Sequence, residues 1–181
     1  ILMVDASSSL LFGTRDKTKS ELAAELCALL AFSAIQNNDQ VGLIIFTDEV
    51  ERYIPPKKGR SHVLRIIREV LFFKPKARKT DIGAALEFLS RIQKRKSVVF
   101  LVSDFMAEGF EQAMSIAGKR HDLIAIPLTD PREKDLEPVG LVELEDAETG
   151  ERVVVDTNDP KTRELFARLT GARETARDKV F

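Results

Sequence analysis

Residues 1–9 read Ile1-Leu2-Met3-Val4-Asp5-Ala6-Ser7-Ser8-Ser9, an apolar run that stops at a carboxylate and continues into three hydroxyls. An unbroken apolar run is what a strand buried on both faces requires, and strands of that kind belong to parallel sheets. Three further runs match it, at Val41–Phe46, Val98–Val102 and Leu123–Leu128. Helical spacing fills the gaps. Leu22, Leu26, Leu29 and Leu30 predict one helix face, with a capping box at Thr18 and Glu21 before it. Val63, Ile66, Ile67, Val70 and Leu71 predict a second, Ile82, Ala85, Leu86 and Leu89 a third, and Phe110, Ala113, Met114 and Ala117 a fourth. Val50–Ile54 follows the turn Thr47-Asp48-Glu49 and predicts an antiparallel edge strand ended by Pro55-Pro56. Beyond Leu128, Val139–Leu144 and Arg152–Val155 flank a turn-rich stretch, and a closing helix runs from about Pro160 through Leu165, Phe166 and Leu169. The expected fold class is therefore α/β and doubly wound: a mostly parallel sheet with one antiparallel edge strand and helices on both faces. Residues 1–181 are expected to form a single domain, with 139–181 a hairpin-plus-helix extension.

Composition bounds the function. The chain has 181 residues, 44% of them hydrophobic, and a formal net charge of -1, so no global field draws it to nucleic acid or membrane. Its single cysteine, Cys27, cannot form an intrachain disulfide and fits a reducing compartment. No apolar run is long enough to span a bilayer, and no signal peptide is visible. The expectation is a cytoplasmic stretch without membrane contact of its own, belonging to a parent that a membrane can still hold. Its opening on Ile1–Val4, a strand already under way, predicts a piece of a longer protein. Charge is uneven: ten Lys or Arg against one acid between Arg52 and Lys79, then eleven acids against three bases between Asp130 and Asp159. A solvated face is the ordinary reason for such a run. With one tyrosine and no tryptophan there is no stacking platform for nucleic acid.

In an open parallel sheet, ligands bind beyond the carboxyl ends of the strands, where the strand order reverses. The polar residues that follow the apolar runs are Asp5-Ala6-Ser7-Ser8-Ser9 and Ser103-Asp104, and Thr80-Asp81 precedes the third helix. These loops offer carboxylates and hydroxyls but no histidine or cysteine. Hard oxygen donors of that kind suit Mg²⁺, Mn²⁺ or Ca²⁺ and not zinc or copper. Spacing by two lets Asp5, Ser7 and Ser9 converge on one ion. Mostly neutral ligands leave such an ion under-neutralised, so it attracts a carboxylate from outside. Taken alone, Asp5 and Ser7–Ser9 also make an ordinary cap-and-turn cluster.

The set Asp5, Ser7, Ser9, Thr80 and Asp104 resembles the metal-ion-dependent adhesion site of the von Willebrand factor A family: Asp-x-Ser-x-Ser, a Thr in a second loop and an Asp in a third. The resemblance spans roughly Ile1 to Leu128. It implies that Ser7, Ser9 and Thr80 ligate the metal directly, with Asp5 and Asp104 direct or through water. More narrowly, Lys79–Leu86, the Val102–Phe105 loop and the closing hairpin and helix resemble a bacterial domain-of-unknown-function family (family 58), whose genes often neighbour MoxR-type AAA+ ATPases. Lys79 and Phe105 stand where many A domains have Gly. The resemblance implies a non-enzymatic, metal-dependent binding module of von Willebrand factor A type. Its partner would be a protein offering an Asp or Glu carboxylate, with a MoxR-type ATPase or its client as the candidate. The alternative is a Mg²⁺-dependent phosphotransfer or receiver-like domain with Asp5 as phosphoacceptor, which lacks the usual neighbouring acid. Asp81 is expected to serve only its helix N-terminus, Cys27 to be a buried small hydrophobe, His62 and His121 to be structural or surface residues, and Asp130 a loop carboxylate.

Overall fold

The computed structural model describes residues 1–181 apart from 12, 14–16, 134, 135 and 148, and the backbone but not the side chains of 11 and 131. Three residues of the acidic stretch, Lys134, Asp135 and Glu148, thus lie outside the described set. Five strands form the main sheet: β1 (Leu2–Asp5), β2 (Val41–Phe46), β3 (Val50–Lys57), β4 (Val98–Ser103) and β5 (Asp122–Pro127), in the order β3-β2-β1-β4-β5. β1 pairs in parallel with β2 and β4, β4 pairs in parallel with β5, and β3 is antiparallel at the edge. The fold is α/β and doubly wound, as the apolar runs predict. From β1 the chain moves one way, through helix α1 (Lys19–Gln36) to β2. From β4 it moves the other way, through α4 (Glu111–Arg120) to β5. The strand order therefore reverses between β1 and β4, and the crevice at their carboxyl ends is where a ligand belongs.

Two cores explain the unbroken apolar runs. Leu2, Val4, Leu43 and Ile45 pack on one face against α1 and α2 (Arg60–Leu71). Met3, Ile44, Phe46 and Leu101 pack on the other against α3 (Ile82–Ile92) and α4. Burial of each such side chain contributes roughly 1.5–3 kcal/mol.

Two expectations change. β3 does not stop at Pro55 but runs on to Lys57, which pairs with Val41. Between Leu43↔Ile54 and Val41↔Lys57 the register shifts, so Pro55 and Pro56 together oppose the single Gly42. An edge strand with a bulge tolerates the missing N–H groups. Gly42 suits this place, because a Cβ would sit tightly against Pro56 Cγ at 3.0 Å and Ile54 O at 3.1 Å. The second change concerns α1. Its buried face is Ala23, Ala24, Cys27 and Ala31, with Leu26 and Leu30 half-buried beside them, while Leu22 and Leu29 are exposed. Small residues let the helix lie close on the sheet, and the apolar period alone does not distinguish that face from its neighbour. The capping box does form: Glu21 N donates to Thr18 Oγ1 at 3.2 Å, and Thr18 N donates to Glu21 Oε2 at 2.8 Å. Burial pushes the Cys27 thiol up to about 12, so it is a packing group and not a nucleophile.

After β5 come a 3₁₀ turn (Pro131–Glu133), a separate hairpin of β6 (Leu141–Glu145) and β7 (Arg152–Asp156), and α5 (Pro160–Val180). The far end of α5 returns to the main domain, where the ring of Phe181 meets Phe105 edge-on at 4.9 Å. Among the described residues, no helix is long and apolar enough to cross a membrane.

The close seat of α1 is testable. Ala31→Leu overpacks the seat and should cost about 1–3 kcal/mol. Leu29→Ala, on the exposed side, should change stability by no more than about 0.5 kcal/mol. Urea melts of the two variants check this, and a larger loss for Leu29→Ala would restore the leucine face.

Candidate metal centre

Asp5 is the last residue of β1 and is still in register with Phe46 of β2, so the sheet fixes its backbone. Its side chain is buried and held twice: Oδ1 accepts from Ser7 N at 2.9 Å, and Oδ2 accepts from Ser103 Oγ at 2.6 Å. The chain then turns into a 3₁₀ segment, Ser8–Leu11, which brings Ser9 Oγ within 3.0 Å of Ser7 Oγ. A turn, and not extended backbone, thus gathers the Asp-x-Ser-x-Ser side chains.

The second loop is stitched to this one on both sides. Ser8 N donates to Arg78 O at 3.1 Å, and Asp81 N donates to Thr47 O at 2.9 Å, beyond the end of β2. Thr80 lies between these two anchors. Its Oγ1 is buried and makes no hydrogen bond. A buried hydroxyl left in that state costs roughly 1–3 kcal/mol unless something other than the chain uses its lone pairs. Asp81 caps α3 by accepting from Ala84 N at 2.8 Å, the helix-terminal role expected of it.

The third loop leaves β4 at Ser103. Ser103 Oγ accepts from Phe105 N at 3.0 Å while donating to Asp5, which ties the first loop to the third. Asp104 is buried; its Oδ1 accepts from Met106 N at 3.2 Å. Phe105 has φ 57°, the left-handed region where glycine is favoured. Its ring offsets that strain by packing against Phe110 at 5.9 Å and Phe181 at 4.9 Å.

Lys19, in the first turn of α1, was not among the expected site residues. Its ammonium reaches Asp104 Oδ2 at 2.9 Å and Glu133 Oε1 at 2.5 Å, with only 4% of its side chain exposed. Burial opposes its charge, but the Asp104 and Glu133 carboxylates outweigh that and hold its pKa above the ordinary value. Asp130 supports this arrangement, since its N donates to Glu133 Oε2 at 3.0 Å. One sequence signal pointed to Lys19: a cation in the first turn of a helix opposes the macrodipole and needs a compensating partner. Glu133 carries no such signal, being 114 residues away in the chain. His62 bonds Val41 O at 2.8 Å, and His121 is buried just before β5 with both ring nitrogens unpartnered; both lie at the amino ends of the strands, away from this site.

Burial raises the Asp5 pKa to about 6; hydrogen bonds from Ser103 and Ser7 oppose this, and the nearby Asp104 charge adds to it. The donor chemistry fits a hard divalent cation: hydroxyls of Ser7, Ser9 and Thr80 with carboxylates of Asp5 and Asp104. Among the described residues no group of three or more His, Cys, Asp or Glu gathers to hold a metal, so any such site is poor in carboxylate.

Known proteins give the fold and the family. Structures at 18% identity match an aerotolerance-related membrane protein of Bacteroides fragilis NCTC 9343 (TM-score 0.65, 94% of this chain and 86% of that one). Another match is the conserved hypothetical protein BatB of Bacteroides thetaiotaomicron (TM-score 0.63, 99% and 96%). Uncharacterized protein Rv1480 of Mycobacterium tuberculosis is 31% identical over 175 residues, 94% of this chain and 55% of that protein. Uncharacterized protein MAV169 of Mycobacterium avium is 29% identical over 122 residues, 66% and 72% of the two chains. The chain thus spans about half the length of the first of these relatives. The family model described as "Protein of unknown function DUF58" matches residues 1–176, nearly the whole chain, and to that family the chain belongs.

Proposed function

We propose that this chain is a divalent-metal-dependent protein-binding module, with an adhesion site of von Willebrand factor A type formed by Asp5, Ser7, Ser9, Thr80 and Asp104. The observation that carries the reading is the buried, unpartnered Thr80 hydroxyl, on a loop bonded directly to the Asp5–Ser9 segment. Mg²⁺, or Mn²⁺ or Ca²⁺ in its place, would supply a coordination position open to a partner's carboxylate. The chain's own part is to fix the donors. Ser7 N and Ser103 Oγ lock the Asp5 carboxylate, and Ser103 joins the loops after β1 and β4.

A cleft of about 370 Å³ opens beside Ser9 and Asp104, walled by Met106, Phe110, Arg173 and Arg177. Its lining is of mixed charge, Arg173 and Arg177 against Asp104, Glu108, Glu111 and Asp146, so any attraction for an acidic side chain would come from the ion and not from the cleft wall. The resemblance to the MoxR-associated family makes a MoxR-type AAA+ ATPase, or a protein that it remodels, the first partner to test. The phosphoacceptor alternative lacks an acid next to Asp5 in the chain, where Ala6 and Ser7–Ser9 follow it; incubation with acetyl phosphate and Mg²⁺ should leave Asp5 unlabelled.

Titration calorimetry should detect Mg²⁺ or Mn²⁺ binding, and Asp5→Asn or Asp104→Asn should weaken it at least about tenfold, the effect of losing roughly 1.4 kcal/mol of ligation. Partner retention by the full-length parent should disappear in excess chelator. Retention unchanged by chelator would remove the metal from the mechanism.

The pH dependence has a definite sign. The folded apo protein holds a proton on Asp5 up to about pH 6, whereas the unfolded chain releases it near 3.8. Asp5 therefore makes the apo domain more stable as pH falls from above 6 toward 4, and costs about 2–3 kcal/mol above pH 6. Protons and cation compete for it, so the rise in Tm on adding Mg²⁺ should be larger at pH 7.5 than at pH 5. Asp5→Asn should raise the apo Tm at pH 7.5 and abolish the Mg²⁺ effect. An unchanged Mg²⁺ shift across that range would show that Asp5 is not in the ion's surroundings.

A further inference from the structure

Lys19 is a buried cation that the proposed binding chemistry does not use. It comes from α1, while its two carboxylates come from the loop after β4 and from the 3₁₀ turn after β5. Surface ion pairs form by chance among long side chains, but this one is not of that kind. The side chains of Lys19 and Asp104 are only 4% and 2% exposed. Placing such a charge there is costly unless the geometry repays it, so the fold holds the ammonium at this spot by construction. The local chain supports the placement. Gly13 passes so close to the start of α1 that a Cβ would lie 2.6 Å from Lys17 O and from Thr18 Cα.

The consequence concerns Asp104. Lys19 donates to Oδ2 and Met106 N to Oδ1, so the fold already orients both oxygens, and the ammonium charge in contact with Oδ2 opposes the direct approach of a cation there. The charge balance follows. Asp5, Asp104 and a dication would cancel, and the ammonium and the Glu133 carboxylate bonded to it cancel in turn, with the ammonium the member of that pair in contact with Asp104. A dication then binds more weakly, while the loaded site stays attractive to a carboxylate. Resting on the metal-centre reading above, we propose that Lys19 is a tethered cation and a positioning residue: it holds Asp104 back from direct ligation and sets both the affinity for the divalent ion and the positive charge beside it. Glu133, which shares the ammonium, tempers that charge.

Removal of each partner should act in opposite directions. Lys19→Gln keeps an N–H donor for Asp104 but removes a positive charge a few ångströms from the ion; Mn²⁺ affinity should rise about tenfold, since Coulomb energies at that range reach the kcal/mol scale even in a high effective dielectric. Glu133→Gln leaves the ammonium less compensated, and Mn²⁺ affinity should fall severalfold. Mn²⁺ calorimetry on wild type and both variants, with thermal melts to confirm folding, reads both signs. Binding by wild type with equal or weaker binding by folded Lys19→Gln overturns the role of Lys19 and leaves the metal centre standing. Binding by Lys19→Gln alone overturns both, because the ammonium then stands in the cation's place in wild type and is not a neighbour of a bound ion. Absence of binding in all three proteins overturns both. Should Lys19→Gln fail to fold, Glu133→Gln decides: weaker binding supports the proposal, and unchanged or tighter binding overturns it.

Discussion

Two carboxylates buried at the switch point of a parallel sheet are the constraint on which the rest of the site depends. Asp5 and Asp104 end or follow the two central strands β1 and β4, are nearly closed to solvent, and sit close enough for their charges to interact. Charges in that position are costly unless hydrogen-bonded or paired. The fold answers differently at each. Asp5 receives two hydrogen bonds and still holds its proton to about pH 6. Asp104 receives a lysine that is itself buried. The energetic deficit thus remains mainly on the Asp5 side, beside the Ser7 and Ser9 hydroxyls.

That asymmetry gives the proposed function its physical logic. A pocket of neutral hydroxyls with one unpaired carboxylate recruits a hard cation without neutralising it. A pocket of four or five carboxylates would bind the ion more tightly and leave it no appetite for a partner's acid. Lys19 carries the same logic further, by cancelling the second carboxylate from inside the fold.

The fold was legible because the signal was redundant. Four apolar runs with helical spacing in the gaps between them leave few arrangements other than a doubly wound sheet, and the buried quartet Ile82, Ala85, Leu86 and Leu89 of α3 sits where its period predicts. Legibility failed where size and not polarity decided. The seat of α1 is formed by Ala23, Ala24, Cys27 and Ala31, and its neighbouring leucines carried a misleadingly strong pattern. The extension of β3 through Pro55-Pro56 turned on a bulge opposite Gly42, which no period reveals. In the site, Asp5, Ser7, Ser9, Thr80 and Asp104 could be named because each follows or precedes an element whose end is visible in sequence. Ser103 was in view but had no assigned work, and its bond to Asp5 depends on the packing of β1 against β4. Lys19 and Glu133 meet only in the folded chain. Of the two, only Lys19 left a trace, as a cation at the wrong end of a helix.

The central claim is that a divalent ion sits among the hydroxyls of Ser7, Ser9 and Thr80 and the Asp5 carboxylate. Diffraction from crystals grown with Mn²⁺, with anomalous differences collected near the manganese edge, tests it most directly. The account predicts one strong peak in contact with Ser7 Oγ, Ser9 Oγ and Thr80 Oγ1, at ligand distances of about 2.0–2.2 Å. A map with no peak there at saturating Mn²⁺, or with Thr80 Oγ1 pointing away from an ion held elsewhere, would contradict it.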